Sequence, residues 1–366
     1  MVNARWHDQD WYRARLAEPA GPVRLVIDTD CANEIDDQFA LAWALLSPRQ
    51  LDLQAVYAAP FSFDHRRREM LRARAARAHP ASASAADHEL LRQHAARLDH
   101  FERQGWPMDR PTLPVFNPPA EGMERSHAEI LKVFELLRLP SHGLVHRGST
   151  RYLQAGQAPP DSPALQHLVQ CARSSPPGQP LYVVALGCAT NIAAALLAAP
   201  DIAERIVVVW TAGYPSHAPH TNFAFNLEQD MLASQLLFNC GVPLVYLPGF
   251  HVGAQLRLSL PEVQRHVQGC GAIGAYLHHL FSHNPLWDFL GLDAQSAPSW
   301  VIWDLINIAW LLQPAWVPSG LVATPVLGDD RRWHPALGRH PMREAYAVAR
   351  DAIFIDLFDK LSQAPG

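Results

Sequence analysis

Lysine is nearly absent from this 366-residue chain: Lys132 and Lys360 are its only two, so almost all of the 30 cationic side chains are arginine. That bias reads as genome composition, although arginine is also the better bidentate binder. Cysteine is scarce and unpatterned. Cys31, Cys171, Cys188, Cys240 and Cys270 are odd in number and include no CxxC pair, which argues for reduced thiols in the cytoplasm rather than a disulfide frame. Positive charge is not in excess either. A net charge of -5 and a pI near 6.4 argue against a nucleic-acid or anionic-membrane surface. No apolar run approaches the roughly 20 residues of a membrane span. The polar opening "MVNARWHDQDWYRARL" lacks the apolar core of a signal peptide. The expectation is a soluble, cytoplasmic protein with neither nucleic acid nor membrane as partner.

What is present is core-forming sequence, 49% hydrophobic, arranged as an alternation. Short β-branched runs at 23–27, 53–59, 143–148, 181–187, 205–213 and 242–248 are separated by helical patterns, and "DLINIAWLL" (304–312) is a late helix. Apolar strands alternating with helices predict an α/β fold, a mostly parallel open sheet with helices on both faces. Ligands bind such sheets beyond the carboxyl ends of the strands. Residues 64–113 break the rhythm with two arginine- and alanine-rich helical patterns around an Ala/Ser hinge. They read as a helical insertion in a single domain spanning 1–366, with the arginine run as a solvated face in preference to a contact for an anionic ligand.

One stretch is dense in charge. "VIDTDCANEIDDQFALAW" (26–43) places Asp28, Asp30, Glu34, Asp36 and Asp37 between a strand and a helix. Helix capping accounts for Asp36 and Asp37 but not for Asp28 and Asp30. Alternate strand residues point alike, so the latter two are expected on one face. Two carboxylates from a strand end and two from a helix start form a hard, oxygen-rich pocket suited to Ca²⁺ or Mg²⁺. Cys31 is then either a reactive thiol or an inert neighbour.

A strand ending in "DTD" is shared with the haloacid-dehalogenase phosphatases. Their later parts find poor counterparts here: Lys132 lies within an amphipathic helix, and the "GDD" at 328–330 runs into a loop. A second resemblance covers nearly the whole chain outside the insertion. "VIDTDCANEIDDQFALAWAL" resembles the N-terminal signature of the inosine-uridine-preferring nucleoside hydrolases, DxDxxxDDxxAL after a strand. "ALGCATNIAAAL", "FAFNLEQDMLAS" and "VIWDLINIAWLL" are similar, in family order, to its Gly-x-x-Thr-Asn, x-Phe-Asn-x-x-x-Asp and C-terminal metal-Asp segments. The tail "RDAIFIDLFDKL" and the stretch "AEGMERSHAEILK" mark a divergent subgroup.

The resemblance implies a Ca²⁺-dependent N-ribohydrolase that splits ribonucleosides into ribose and free base; a base-stacking Trp303 would make purine nucleosides the favoured ones. It implies Asp30 as both metal ligand and catalytic base. Asp37, Asp304 and the Thr190 backbone carbonyl would complete the ligands, and Asp36 and Asn226 would hold the ribose hydroxyls. The chain departs from the family in three places. Five residues, "CANEI", separate Asp30 from Asp36 where three are usual, so Asn33 or Glu34 enters the site. Ala224 replaces a Glu, with Asn222 as the candidate substitute contact. Trp303 replaces a His before the metal Asp and offers either a stacking face for the base or a core side chain. His217, His220 and His251 are the candidate proton donors, and Asn117 stands in for a family turn. A non-catalytic ribose- or nucleoside-binding homologue is the alternative from another class. The assembly state is open, a homo-oligomer included.

Overall fold

The β-branched run that precedes the acidic stretch forms strand β1 (Val23–Thr29), buried almost throughout. The structure, a computed structural model, describes residues 6–105, 116–176, 178–290, 292 and 296–365. Helix α1 (Gln9–Arg15) precedes β1. After it come α2 (Asp36–Leu45), β2 (Leu51–Ala58), the pair α3 (Asp64–Ala78) and α4 (Ala85–Gln104), α5 (Pro119–Leu136) and β3 (Val145–Arg147). The alternation continues through α6 (Pro163–Arg173), β4 (Leu181–Ala185), α7 (Thr190–Ala198), β5 (Ile206–Ala212), α8 (Phe225–Glu228), α9 (Met231–Asn239) and β6 (Leu244–Pro248). The last third holds β7 (Arg257–Ser259), α10 (Leu260–His266), α11 (Gly271–Ser282), α12 (Trp287–Leu290), β8 (Ser299–Val301) and α13 (Leu305–Leu312). It closes with β9 (Ser319–Ala323), β10 (Val326–Leu327), β11 (Trp333–His334), β12 (Pro341–Ala345) and α14 (Arg350–Ser362).

Eight strands form one sheet in the order β3-β2-β1-β4-β5-β6-β12-β9. Every neighbouring pair is parallel except β12 with β9. The expected mostly parallel α/β sheet is therefore present, in a single domain. Strands β1 to β6 are the six apolar runs. The sequence pattern does not announce β12 and β9, because "PMREA" and "SGLVA" mix polar and apolar residues at a partly exposed sheet edge. The "GDD" segment turns between β10 and β11, which pair antiparallel.

The sheet is covered on both faces. Leu25 and Ile27 of β1 pack with Phe39 and Trp43 of α2 and with Ile306 and Trp310 of α13. Val26 faces the other way, toward Ile192 of α7 and Leu237 of α9. A third, smaller core joins α3, α4 and α12 through Phe63, Met70, Leu98, Phe101 and Phe289. The two helices expected between 64 and 113 are α3 and α4; positions 106–115 lie outside the described residues. Among the described residues no helix is long and apolar enough to cross a membrane.

Candidate active site

A cavity of about 330 Å³ opens beyond the carboxyl ends of β1, β5 and β6, within the usual size of a small-molecule site. Its acidic lining comes from two places far apart in the chain. The β1–α2 loop with the first turn of α2 supplies Asp30, Glu34, Asp36 and Asp37, and the start of α13 supplies Asp304.

Asp36, Asp37 and Asp304 each turn a carboxylate oxygen toward a common point, the three within 4.8 Å of one another and all buried. Helix capping does not explain them. Asp36 and Asp37 occupy the first turn of α2 and Asp304 the N-cap of α13, yet neither helix start receives a side-chain capping bond. What fixes α13 is Asn307, one turn on. Its Nδ2 donates to the carbonyls of Ala185 and Val209, 3.1 Å each, and its Oδ1 accepts from the Thr211 hydroxyl. A polar residue inside "LINIAWLL" thus clamps the helix across β4 and β5 and delivers Asp304 to the cavity.

Burial pushes the carboxyls upward. Asp37 rises to about 6, partly restrained by the Thr29 hydroxyl it accepts from. Asp36 and Asp304 are held well above the ordinary range by burial and then by neighbouring carboxylates. Asp30 is raised by burial and by Asp37. Its Oδ2 accepts from Asn33 Nδ2 at 2.6 Å and from Gln229 Nε2 at 3.4 Å, whereas Oδ1 is buried without a partner among the described residues. Gln229 has no freedom in this, since its Oε1 already accepts from Ser62 N–H and the Tyr152 hydroxyl.

The longer loop does what its length requires. Asn33 and Glu34 both line the cavity. Glu34 accepts from the Trp300 indole N–H at 2.5 Å and is raised to about 7 by burial, with Trp300 pulling the other way. Ala32 takes up the extra chain with a left-handed φ of 103°.

The structure separates Asp28 from this group. As the even member of β1 it shares the face of Val26 and accepts from Asn191 Nδ2 at 2.8 Å; Asp30 lies past the strand end, where alternation no longer applies. The expected fourth carboxylate is accordingly Asp304 or Glu34. Asn191 does not cap α7, because its Oδ1 accepts from Ser149 N–H at 2.7 Å. Thr190 opens α7 with its hydroxyl on Asp230 at 2.8 Å and is not among the cavity-lining residues. Asp230 also accepts from Leu153 N–H and Ala233 N–H, so it ties the second motif to the third.

Asn226 lines the cavity. Its Nδ2 donates to the carbonyls of Leu186 and Thr211. Both partners are acceptors only, so the amino group must face them and Oδ1 is left for a ligand. Asn222, the candidate sugar contact, is used up elsewhere: its Oδ1 accepts from Tyr214 N–H at 2.7 Å and its Nδ2 donates to Arg331 O at 3.0 Å. Trp303 does line the cavity, with Phe250 edge-on at 5.9 Å and 89°. His220 and His251 pack on Tyr214, with centroids 4.8 and 5.2 Å away. Neither they nor His217 nor Asn117 lines the cavity. Cys31 is buried and its thiol is pushed well up, the setting of an inert neighbour.

With this geometry in view the comparisons are decisive. The model of the inosine-uridine preferring nucleoside hydrolases matches residues 25–343. The chain belongs to that family. Family membership makes it a nucleoside N-ribohydrolase. A non-specific ribonucleoside hydrolase, RihC, of Salmonella enteritidis PT4 is 27% identical over 297 residues, covering 80% of this chain and 79% of the relative. Its counterpart from Escherichia fergusonii is 26% identical over 302 residues, 80% of each. Among solved structures, a purine-preferring ribonucleoside hydrolase from Gardnerella vaginalis has a TM-score of 0.61 at 18% identity, over 93% of this chain and 98% of its own. An inosine-guanosine nucleoside hydrolase also reaches 0.61, at 15% identity, over 94% and 99%. At such identities these two establish the nucleoside-hydrolase fold alone.

The residues that sequence reading missed are Phe63, Arg66, Phe225, Gln229 and Phe250. None carries a local signal, and only Gln229 and Phe225 lie inside a motif that could have prompted a search.

Proposed function

We propose that this nucleoside hydrolase is Ca²⁺-dependent and favours purine ribosides. The observation that carries the reading is the convergence of Asp36, Asp37 and Asp304, with Asp30 and Asn226 lining the same cavity. The donor set is all oxygen, buried and mutually repelling, so a hard divalent cation fits it and a soft-ligand metal does not. Asp37 and Asp304 would hold the ion, joined by Asp36 or Asp30. When bound, such an ion supplies Lewis acidity that orients a water and the ribose hydroxyls.

The chain's own residues do the rest. Asp30 accepts the proton of the attacking water at Oδ1, while Asn33 and Gln229 hold Oδ2; a raised pKa makes it the stronger base. The water oxygen bonds to C1′ as the C–N bond breaks, and the base departs with that electron pair. Positive charge that builds on the sugar is stabilised by the surrounding carboxylates. Asn226 Oδ1 and Asp36 accept from ribose hydroxyls. Trp303 stacks on the base, an interaction worth roughly 1–3 kcal/mol that favours the larger purine surface.

The test is a panel of purine and pyrimidine nucleosides assayed for free ribose in calcium and in chelator. Release that calcium supports and chelator abolishes bears the reading out, with purines ahead. Nucleoside binding without ribose release would favour the non-catalytic binder, for which Ala224 and Trp303 are the supporting observations.

A further inference from the structure

Arg66 is the one cation among the described residues that line the cavity, and it comes from α3, an element that contributes none of the acids. Its side chain is 18% exposed. The guanidinium carbon sits 5.4 Å from the ring centres of both Phe63 and Phe225, which stack on each other at 4.0 Å. Among the described residues its two hydrogen bonds, to Phe223 O at 3.2 Å and Glu228 Oε2 at 3.3 Å, both leave Nη2. Nε and Nη1 carry neither. A cation this buried is costly unless its donors are satisfied.

Its carboxylate partner, Glu228, is shared. That carboxylate is bound more closely by Arg331, at 2.5 Å. Arg331 also reaches Glu69 at 3.3 Å, and Glu69 meets His94 at 3.2 Å, which in turn contacts Arg97 at 3.0 Å. Arg66 and Arg331 thus share Glu228, while Glu69 is held by Arg331 and His94. Phe223, Ala224 and Phe225 line the cavity beside Arg66 without a polar side chain. A ligand group reaching this end therefore meets one strong donor between aromatic and aliphatic side chains.

We propose that Arg66 makes this end of the cavity an oxyanion subsite, so that the preferred substrate is a riboside bearing a phosphoryl or carboxylate group rather than a neutral nucleoside. The inference rests on the hydrolase reading above and narrows it. The anion has two possible bearers, the sugar as a 5′-phosphate or the base as a ring carboxylate. The helical pair that carries Arg66, which we read as an insertion, then acts as the specificity element.

The test compares inosine with inosine 5′-monophosphate, and uridine with orotidine, on the calcium-loaded protein. One charged member should exceed its neutral partner in kcat/KM by roughly 10- to 100-fold, the range of a charge-assisted hydrogen-bond pair. The phosphate arm identifies a sugar-borne anion and the orotidine arm a base-borne one. Arg66→Gln should collapse that ratio and Arg66→Lys should restore part of it, whereas a merely structural arginine would lower both members alike. If Arg66→Gln does not fold, calorimetry on the unaltered protein decides for the sugar-borne anion, with ribose 5-phosphate expected to bind at least about tenfold tighter than ribose. Orotidine against uridine in the same experiment decides for the base-borne one. Good cleavage of neutral nucleosides with no advantage for either anion overturns the inference and leaves the hydrolase reading intact. Absence of cleavage throughout sinks the hydrolase reading, and the calorimetric preferences then judge the subsite alone.

Discussion

At the scale of single residues, Asp30 and Trp303 carry the most specific expectations. Asp30→Asn keeps the shape and the contacts of Oδ2 but removes the proton acceptor at Oδ1. A general base contributes about 10²–10⁴-fold, so kcat should fall by that much while calcium affinity, measured by calorimetry, falls far less. A metal-loaded variant with near-normal turnover would move the base to another carboxylate, Glu34 first. Trp303 stands apart from proton transfer, because an indole N–H is far too weak an acid to protonate a leaving base. Trp303→Ala should therefore cost inosine more than a p-nitrophenyl riboside, whose leaving group needs no activation. Equal losses on the two substrates would reduce Trp303 to a packing residue.

Among elements, the end of β4 shows how a residue that touches no ligand can govern one that does. Gly187 follows the strand, and a Cβ built there would lie 2.7 Å from Asp30 Cγ. No side chain fits without moving the carboxylate. A displacement of about 1 Å can cost on the order of 10²-fold in rate, so Gly187→Ala should lose activity on that scale while the protein stays folded by circular dichroism. Unchanged kcat would mean that the β1–α2 loop is pliable enough to absorb the methyl group. The sequence marks this glycine only through its place in "ALGCATN". The reason for it, an approach by a loop 150-odd residues away, is tertiary. The same holds for Asn307, which as a lone polar residue in an apolar helix reads as an anomaly until its three partners on β4 and β5 are seen.

For the whole molecule, the buried acids couple stability to pH and metal. Without metal, burial lets the folded carboxyls of Asp37 and Glu34 hold protons up to about 6 and about 7, against the roughly 4 of exposed carboxyls. Between those limits the folded state binds more protons than the unfolded chain, so stability falls as pH rises from about 4 to 7 and then levels off. A cation that binds only the folded state works in the opposite direction, and does so more strongly once the acids are ionised. The melting temperature in chelator should therefore drop between pH 5 and pH 8. Calcium at hundredfold excess over its Kd should restore a few degrees at pH 8, and less at pH 5. A melting curve indifferent to both pH and calcium would remove the metal from this cluster.

What the sequence determined by itself is local or periodic. The apolar runs set the parallel sheet because its central strands, β1, β4, β5 and β6, are buried on both faces and so must be apolar along most of their length. The order of four short motifs placed the acids, the asparagine and the tryptophan around one strand-end cavity. The two extra residues before Asp36 pointed to Asn33 or Glu34 entering it, and both do. Only the tertiary structure decided the rest. Period-two alternation stops where a strand stops, so nothing local tells Asp28 from Asp30. Asn222 has the right chemistry, but both polar atoms of its side chain are committed to Tyr214 and Arg331. Arg66 sits in a run that reads as a solvated helix face, and folding brings it to the cavity because the third hydrophobic core docks α3 over the site. A side chain's partners depend on which elements pack together, and that information lies between the elements rather than within any one of them.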